Sequence, residues 1–335
     1  MSIFAIAFTD KGMELGERLK AAAQQELELT RCDEGGVMEW TSQHFLSGNS
    51  LIFIGAAGIA VRAISPFLRR KSVDPAVVVM DELGKFAIPI LSGHIGGANA
   101  LAVALADFTG GTPVITTATD TENVFAVDTW ASSIGLRIAN PEKIKYISSK
   151  LLAGGTVRFS SIFPIGGAAP EGLVQVDDMS EGDFVISYLS GTPEDALHLV
   201  PPVLTLGVGC KKGTSCAELE AAFQAFMRSC GCHELAVREL CSIDLKANEP
   251  GLREFCKIHE LPARFFSVDE LRDVPGEFSV SHFVAEITGI DNVCERSAVL
   301  GSDGTLLVRK TIYDGITMAL AIKEPANAEE SSEDE

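Results

Sequence analysis

The sequence predicts an α/β protein: an N-terminal α/β domain and a C-terminal α/β domain with mostly parallel sheets, joined by a small connecting region. Three observations predict it. Short apolar runs alternate with stretches of helical spacing, as in layered α/β folds. Several runs are apolar on both faces, as strands buried between two helical layers must be. Glycine-rich turns join run to helix at three places, beginning at Gly55, Gly93 and Gly209. At 335 residues the chain is long for one core. It divides into an N-terminal domain (1–130), a connecting region (131–201), a C-terminal domain (202–322) and an acidic tail (323–335).

Ile3, Ala5 and Ala7 alternate with Phe4, Ile6 and Phe8, so the first strand is buried on both sides. Thr9 or Asp10 can cap the helix that carries Met13, Leu15 and Leu19. Residues 51–54 form the next clear strand. Gly55-Ala-Ala-Gly58 turns it into a helix with Ile59, Ile64 and Phe67, which ends between Pro66 and Lys71. Residues 76–80 are a strand, and Phe86, Ile88 and Ile90 then alternate at strand spacing. Leu101, Ala104, Leu105 and Phe108 fall at i, i+3, i+4 and i+7, one face of a helix. Ser92 to Gly97 therefore links a strand to a helix, and residues 114–117 add a further strand.

In the connecting region, residues 142–152 read as a helix stopped by Gly154-Gly155, and 156–163 and 184–188 as strands. Gly166-Gly-Ala-Ala-Pro170 and the acidic stretch 177–183 interrupt the pattern, and Pro201-Pro202 closes it. A second α/β unit follows: strand 203–208, loop 209–214 and helix 216–228. That helix opens on a Ser215-x-x-Glu218 capping box and buries Leu219, Ala222, Phe223 and Phe226. Then come a strand near 240–243, helix 252–259, strand 263–266, and helices 268–272 and 292–300. Residues 305–310 and 316–322 form a final strand pair.

Composition narrows the function. A net charge of −19 argues against nucleic acid, which needs a basic face. It also requires that an anionic substrate be held by local basic groups. No run of 18 apolar residues and no signal-like leader occurs, so a cytoplasmic protein without membrane contact is expected. The eight cysteines then read as reduced thiols. The tail carries Glu324, Glu329, Glu330, Glu333, Asp334 and Glu335 and reads as disordered.

Chemistry concentrates in the glycine turns. His94 stands at the mouth of the Ser92–Gly97 loop, where an imidazole can take and return protons at neutral pH. The helix behind it offers amides and a positive dipole end to a carboxylate or an oxyanion. The loop lacks the G-x-G-x-x-G and G-K-[ST] patterns of nucleotide sites. Asp81 and Glu82 follow a strand, and on a parallel sheet their loop would emerge beside His94 and supply a base. An Asp-Glu-x-Gly stretch equally fits an ordinary turn. Arg62 lies one turn into the helix after Gly58, and Lys211 and Lys212 precede the capped helix at Ser215. These three cations suit a polycarboxylate clamp, and the lysines equally suit a solvated turn. Cys230-Gly-Cys-His233 and Cys256-Lys-Ile-His259 lack structural zinc spacings, so no protein-bound metal is expected.

Beyond these physical readings, Leu91-Ser-Gly-His-Ile-Gly-Gly-Ala-Asn-Ala-Leu-Ala102 resembles the signature of the CbiG family of anaerobic cobalamin biosynthesis, hydrolases of cobalt-precorrin-5A. Ile54-Gly-Ala-Ala-Gly-Ile-Ala-Val-Arg-Ala-Ile64 and Leu206-Gly-Val-Gly-Cys-Lys-Lys-Gly-Thr-Ser215 resemble the same family, as do Ser242 to Gly251 and Val293-Cys-Glu295. The resemblance runs from about residue 51 to residue 322. It implies an enzyme that opens a δ-lactone on a cobalt tetrapyrrole and releases acetaldehyde, giving cobalt-precorrin-5B. Cobalt would be carried by the substrate, with no cofactor bound by the protein. His94, with Asp81 or Glu82, would supply proton transfer. Gly93, Gly96, Gly97 and Asn99 would line the lactone, and Arg62, Lys211 and Lys212 would bind carboxylates. Lys246, Glu249 and Glu295 would contact substrate or form an inter-loop ion pair. The implied partner is one small tetrapyrrole; a homodimer and transient contact with neighbouring pathway enzymes stay open. A tetrapyrrole-binding or delivery protein without catalysis is the alternative.

Overall fold

A computed structural model describes residues 2–323 apart from 24–25, 34–35, 71–72, 95, 118–121, 123, 168 and 281–288. The chain forms two compact units, one of residues 1–132 with 151–153, the other of 133–150 and 154–335. The acidic tail expected from Glu324 onward lies outside the described residues.

The first unit is built on six strands: β1 (Ile3–Ala7), β2 (Leu27–Arg31), β3 (Ser50–Ile54), β4 (Ala76–Met80), β5 (Phe86–Leu91) and β6 (Thr112–Pro113). Their spatial order is β2-β1-β3-β4-β5-β6. The first four run parallel, with Ile3 opposite Leu27 and Ser50, and Ser50 opposite Ala76. Every residue of β3 and β4 is buried, because helices cover both faces. Helices α1 (Asp10–Ala22) and α4 (Ala98–Thr109) set Leu15, Leu19, Ala102 and Leu105 with Ala5, Ile52 and Val78. On the other face α2 (Gly36–His44) and α3 (Ala57–Ile64) set Trp40, Ala60 and Ile64 with Leu51, Phe53 and Val77. Each large apolar side chain so buried contributes about 1.5–3 kcal/mol.

Strand direction corrects one expectation. β5 is antiparallel to β4, with Val79 opposite Ile88, and β6 is parallel to β5. A parallel crossover needs roughly a dozen residues or more, and only Asp81 to Lys85 separate the two strands. Those residues make a hairpin. Asp81 closes it, accepting the Leu83 N–H at 2.9 Å and the Phe86 N–H at 2.7 Å. Gly84 supplies the left-handed turn at φ 68°. Chain therefore leaves β1–β4 at one end of the sheet, and β5 and β6 at the other. β2 and α2 escape a sequence reading because β2 is a polar edge strand, with Glu28 and Arg31 exposed. The last strand falls at 112–113 and not at 114–117.

The second unit holds two sheets. The connecting region is more regular than its sequence, with β7 (Arg137–Ile138), β8 (Val157–Ser161), β9 (Leu173–Gln175), β10 (Phe184–Ile186) and β11 (Leu197–Val200) in the order β7-β11-β10-β8-β9. The first unit runs on into α5 (Val127–Ser133), and in the connecting region helix α6 (Ile144–Leu152) precedes β8. Asp183 fastens this region, accepting from Lys150 Nζ at 2.7 Å and from the Arg158 N–H at 2.7 Å. The third sheet orders β12 (Leu204–Gly209), β13 (Val237–Ile243), β14 (Ala263–Phe266), β15 (Thr305–Tyr313) and β16 (Ile316–Ile322) as β14-β13-β12-β16-β15. β12, β13 and β14 are parallel, and β15 and β16 add an antiparallel pair. Helices α7 (Cys216–Cys230), α8 (Pro250–Ile258), α9 (Val268–Arg272) and α10 (Cys294–Ser302) complete it. α10 lies so close to β12 that a Cβ at Gly207 would overlap the Cys294 carbonyl.

Candidate active site

The His94 loop begins where β5 ends. Ser92 takes a left-handed conformation (φ 55°), and its hydroxyl donates to the Asp74 carbonyl at 2.8 Å. This ties the loop to the residue just ahead of β4. The glycines are then required by contact: a Cβ on Gly93 would stand 2.7 Å from Asn99 Oδ1, and one on Gly96 would strike Ser92. Gly97, left-handed at φ 84°, starts α4.

The turn closes on itself. The Gly97 N–H donates to the His94 carbonyl at 2.9 Å, the Ala98 N–H to Ser92 at 3.2 Å and the Asn99 N–H to Gly93 at 3.0 Å. The expectation that Gly97 and the first helical amides stand open to an oxyanion is thereby corrected. These donors are satisfied within the loop, as buried turns demand. The Gly96 amide makes no hydrogen bond among the described residues.

His94 Nδ1 lies 2.7 Å from the hydroxyl of Thr129, an exposed residue of α5. A ring nitrogen held this way fixes the orientation of the imidazole. Buried Asn99 donates through Nδ2 to the Thr117 hydroxyl at 3.1 Å. Next to Thr129 in the chain, Trp130 pairs with Phe125, their ring centroids 5.6 Å apart. Neither Thr117 nor Thr129 was legible as a partner, because only the fold brings them to the loop.

Asp81 and Glu82 are not near His94. They stand at the opposite end of β5, where Glu82 Oε2 accepts the Thr9 hydroxyl at 2.6 Å. Asp81 is a turn residue and Glu82 pairs with the segment after β1, so neither can serve His94 as a base. Arg62 is exposed on α3 and reaches back over Gly58, at the Asp81 end of the sheet. A different basic stretch adjoins the His94 loop. The Arg69 N–H donates to both carboxylate oxygens of Asp74, at 3.1 and 3.2 Å. The signal was present: Arg69-Arg70-Lys71 is the longest run of consecutive Lys and Arg in the sequence.

The second unit places the remaining candidates. Glu249 Oε2 accepts the Gly213 N–H at 2.9 Å, and Oε1 meets Lys246 Nζ at 3.1 Å. The Gly213 N–H, and after it Lys246, hold the Glu249 carboxyl below its ordinary pKa. Lys246 and Glu249 thus form an ion pair that fastens the glycine loop to the start of α8. Lys211 and Lys212 are exposed, and the Lys211 stem crosses Gly315 in the turn between β15 and β16. Burial pushes the Cys210 thiol up. Glu295 is fully buried. It accepts from Ser279 N–H at 2.7 Å, Ser279 Oγ at 2.8 Å and Lys310 N–H at 2.7 Å. With three protein donors and no exposure, Glu295 is scaffold and corrects its assignment to substrate contact.

A cleft of about 220 Å³ also lies in this unit, lined by Arg137, Phe223, His259 and Glu260. Two of its polar side chains are engaged by the surrounding protein: Arg137 donates to the Leu235 and Val237 carbonyls, and His259 Nε2 meets Glu220 at 2.6 Å. It is smaller than the roughly 300–1,000 Å³ of ordinary small-molecule sites. Among the described residues no three His, Cys, Asp or Glu side chains converge as metal ligands. No helix among them is long and apolar enough to cross a membrane.

Two family models match the sequence: cobalamin synthesis G N-terminal over residues 39–120, and cobalamin synthesis G C-terminus over residues 204–321. The first span contains the His94 loop and the second the Lys211, Glu249 and Glu295 positions. The chain is 33% identical to the cobalt-precorrin-5A hydrolase of Salmonella typhimurium over 302 residues, 86% of each chain. It is 29% identical to a protein of the same name from Priestia megaterium, over 95% of this chain and 94% of that one. It is also 28% identical to the protein CobE of a Sinorhizobium species, over 35% of this chain and 79% of that one.

Proposed function

The chain belongs to the cobalamin synthesis G family, an enzyme of cobalamin biosynthesis, and from that premise we propose that it hydrolyses the δ-lactone of cobalt-precorrin-5A. The observation that carries the reading is the 33% identity, over 86% of both chains, to a protein named for that activity.

The His94 loop is the proposed place of reaction. His94, oriented through Nδ1 by Thr129, draws a proton from water at Nε2 as the water attacks the lactone carbonyl. The Gly96 N–H is the loop donor left for the resulting oxyanion, and Asn99 holds the glycine turn behind it. Collapse breaks the acyl C–O bond and frees a carboxylate and an alkoxide. The alkoxide becomes the carbonyl of acetaldehyde as the carbon–carbon bond to the macrocycle breaks. That electron pair stays on the macrocycle, which takes up a proton. One water is consumed and no oxidant is needed. Cobalt enters as part of the substrate, with no protein-bound cofactor. Lys211 and Lys212 offer exposed cations for peripheral carboxylates.

The test is incubation of the purified chain with cobalt-precorrin-5A, following acetaldehyde and the mass of the macrocycle. Stoichiometric acetaldehyde with the mass of cobalt-precorrin-5B is the expected result. Binding of the tetrapyrrole with the lactone intact would make the chain a carrier and overturn the hydrolase reading.

A further inference from the structure

We propose that Arg69 and Arg70 form a cationic lip on the His94 loop that binds carboxylate groups of the tetrapyrrole. This rests on the reading of that loop as the substrate site, and names the groups that hold the substrate there.

The first argument is attachment. The backbone of Arg69 and Arg70 is anchored on buried Asp74. Its carboxylate accepts the Arg69 N–H, and its own N–H, like that of Val73, returns to the Arg70 carbonyl at 3.0 Å. Its carbonyl accepts the Ser92 hydroxyl at 2.8 Å. One residue thus grips the arginine backbone by its carboxylate and the His94 loop by its carbonyl.

The second argument is availability. Arg69 and Arg70 are exposed, and neither guanidinium has an acceptor among the described residues. Arg31, Arg238, Arg264, Arg272 and Arg296 each meet a carboxylate of the protein. Asp74 is the one acidic residue between 65 and 80, and its oxygens are occupied by backbone.

The third argument is charge. A chain at −19 repels a polycarboxylate at long range. Two adjacent guanidinium groups give the local attraction that the whole molecule lacks, with fork geometry suited to carboxylates.

The experiment compares wild type, Arg69→Gln/Arg70→Gln and Arg69→Lys/Arg70→Lys. Binding of uroporphyrin III, an octacarboxylate tetrapyrrole, is read by fluorescence, and KM and kcat are measured on cobalt-precorrin-5A. The Gln pair should weaken uroporphyrin binding roughly tenfold or more. It should also flatten the salt dependence of binding and raise KM by a similar factor with little change in kcat. The Lys pair should recover part of the loss. Thermal melting should not move, since neither guanidinium has an acceptor among the described residues. Unchanged affinity in the Gln pair, or no uroporphyrin binding by wild type, overturns the lip. Lactone turnover with an unaltered KM in the Gln pair refutes the lip and leaves the hydrolase standing. Lip-dependent binding without turnover does the reverse.

Discussion

Replacing the two partners of the 2.7 Å contact between His94 and Thr129 separates a proton carrier from its holder. His94→Gln keeps a hydrogen-bonding amide on the loop but cannot take and return a proton. Loss of a general base costs about 10²–10⁴ in rate, so kcat should fall by that factor while KM changes little. Thr129→Val removes one neutral hydrogen bond, worth about 0.5–1.5 kcal/mol. If the full amount is felt in the transition state, kcat falls roughly two- to twelvefold. Thr129→Ser retains a hydroxyl and should stay near wild type. The assay is initial-rate acetaldehyde release from cobalt-precorrin-5A, coupled to alcohol dehydrogenase and NADH, at saturating and limiting substrate. The refuting result is a His94→Gln enzyme with near-normal kcat and raised KM. That would make His94 a substrate-orienting donor, and the base would have to be sought elsewhere, because Asp81 and Glu82 lie at the other end of β5.

Three further outcomes are expected. Glu295→Gln turns an amide N–H₂ toward donors that now meet a buried carboxylate. It should lower stability by about 3 kcal/mol in urea unfolding, whereas a substrate contact would shift KM and leave the midpoint in place. Lys211→Ala with Lys212→Ala should raise KM roughly tenfold or more if both bind carboxylates, and an unchanged KM would assign them to solvent. Asp183, where burial alone would raise the pKa, is held below its ordinary value by Lys150 and the Arg158 N–H. A depressed folded pKa gives stability that is present above the unfolded value, about 3.9, and is lost as pH falls through the folded one. Asp183→Asn should therefore be less stable than wild type at pH 6, with the gap closing below about pH 4. A pH-independent gap would contradict this.

Much of the fold was legible because burial leaves a pattern. The fully apolar runs of β3 and β4 read correctly from sequence alone. So did the Ser215 capping box, whose two reciprocal bonds are present. The 3.6-residue spacing found helix α4 but misplaced its buried face, which is Ala98, Ala102, Leu105 and Ala106 while Ala104 and Phe108 are exposed. Elements with weak apolar signals were not legible: the polar edge strand β2, and β11, where buried His198 interrupts the run. The glycine loop around His94 was visible as a turn, since Gly93 and Gly96 are forced by contact. Its partners Thr129, Thr117 and Asp74 were not visible, because each meets the loop through tertiary structure 18 residues or more away in sequence.

The misread strand direction decides where the chemistry can lie. In a wholly parallel sheet, functional loops gather at the carboxyl ends of the strands. That placement led Asp81 and Glu82 to His94, yet a five-residue connection cannot carry a parallel crossover. The antiparallel turn moves the loop after β5 to the end where β4 begins. Had β5 run the other way, the His94 loop would have emerged beside Thr9, Gly55 and Glu82, an end that carries carboxylates. Reversed, it meets the segment leading into β4, which carries Arg69 and Arg70 on the Asp74 anchor. The hairpin thus sets the His94 loop beside the Arg69 and Arg70 backbone and away from Asp81 and Glu82. Lengthening the Asp81–Lys85 turn with a few glycines should preserve this, since the β4–β5 ladder and the Asp74–Ser92 contact fix the register. Stability would then fall by only about 1 kcal/mol with kcat nearly unchanged, whereas a large loss of kcat with folding intact would mean the turn itself takes part.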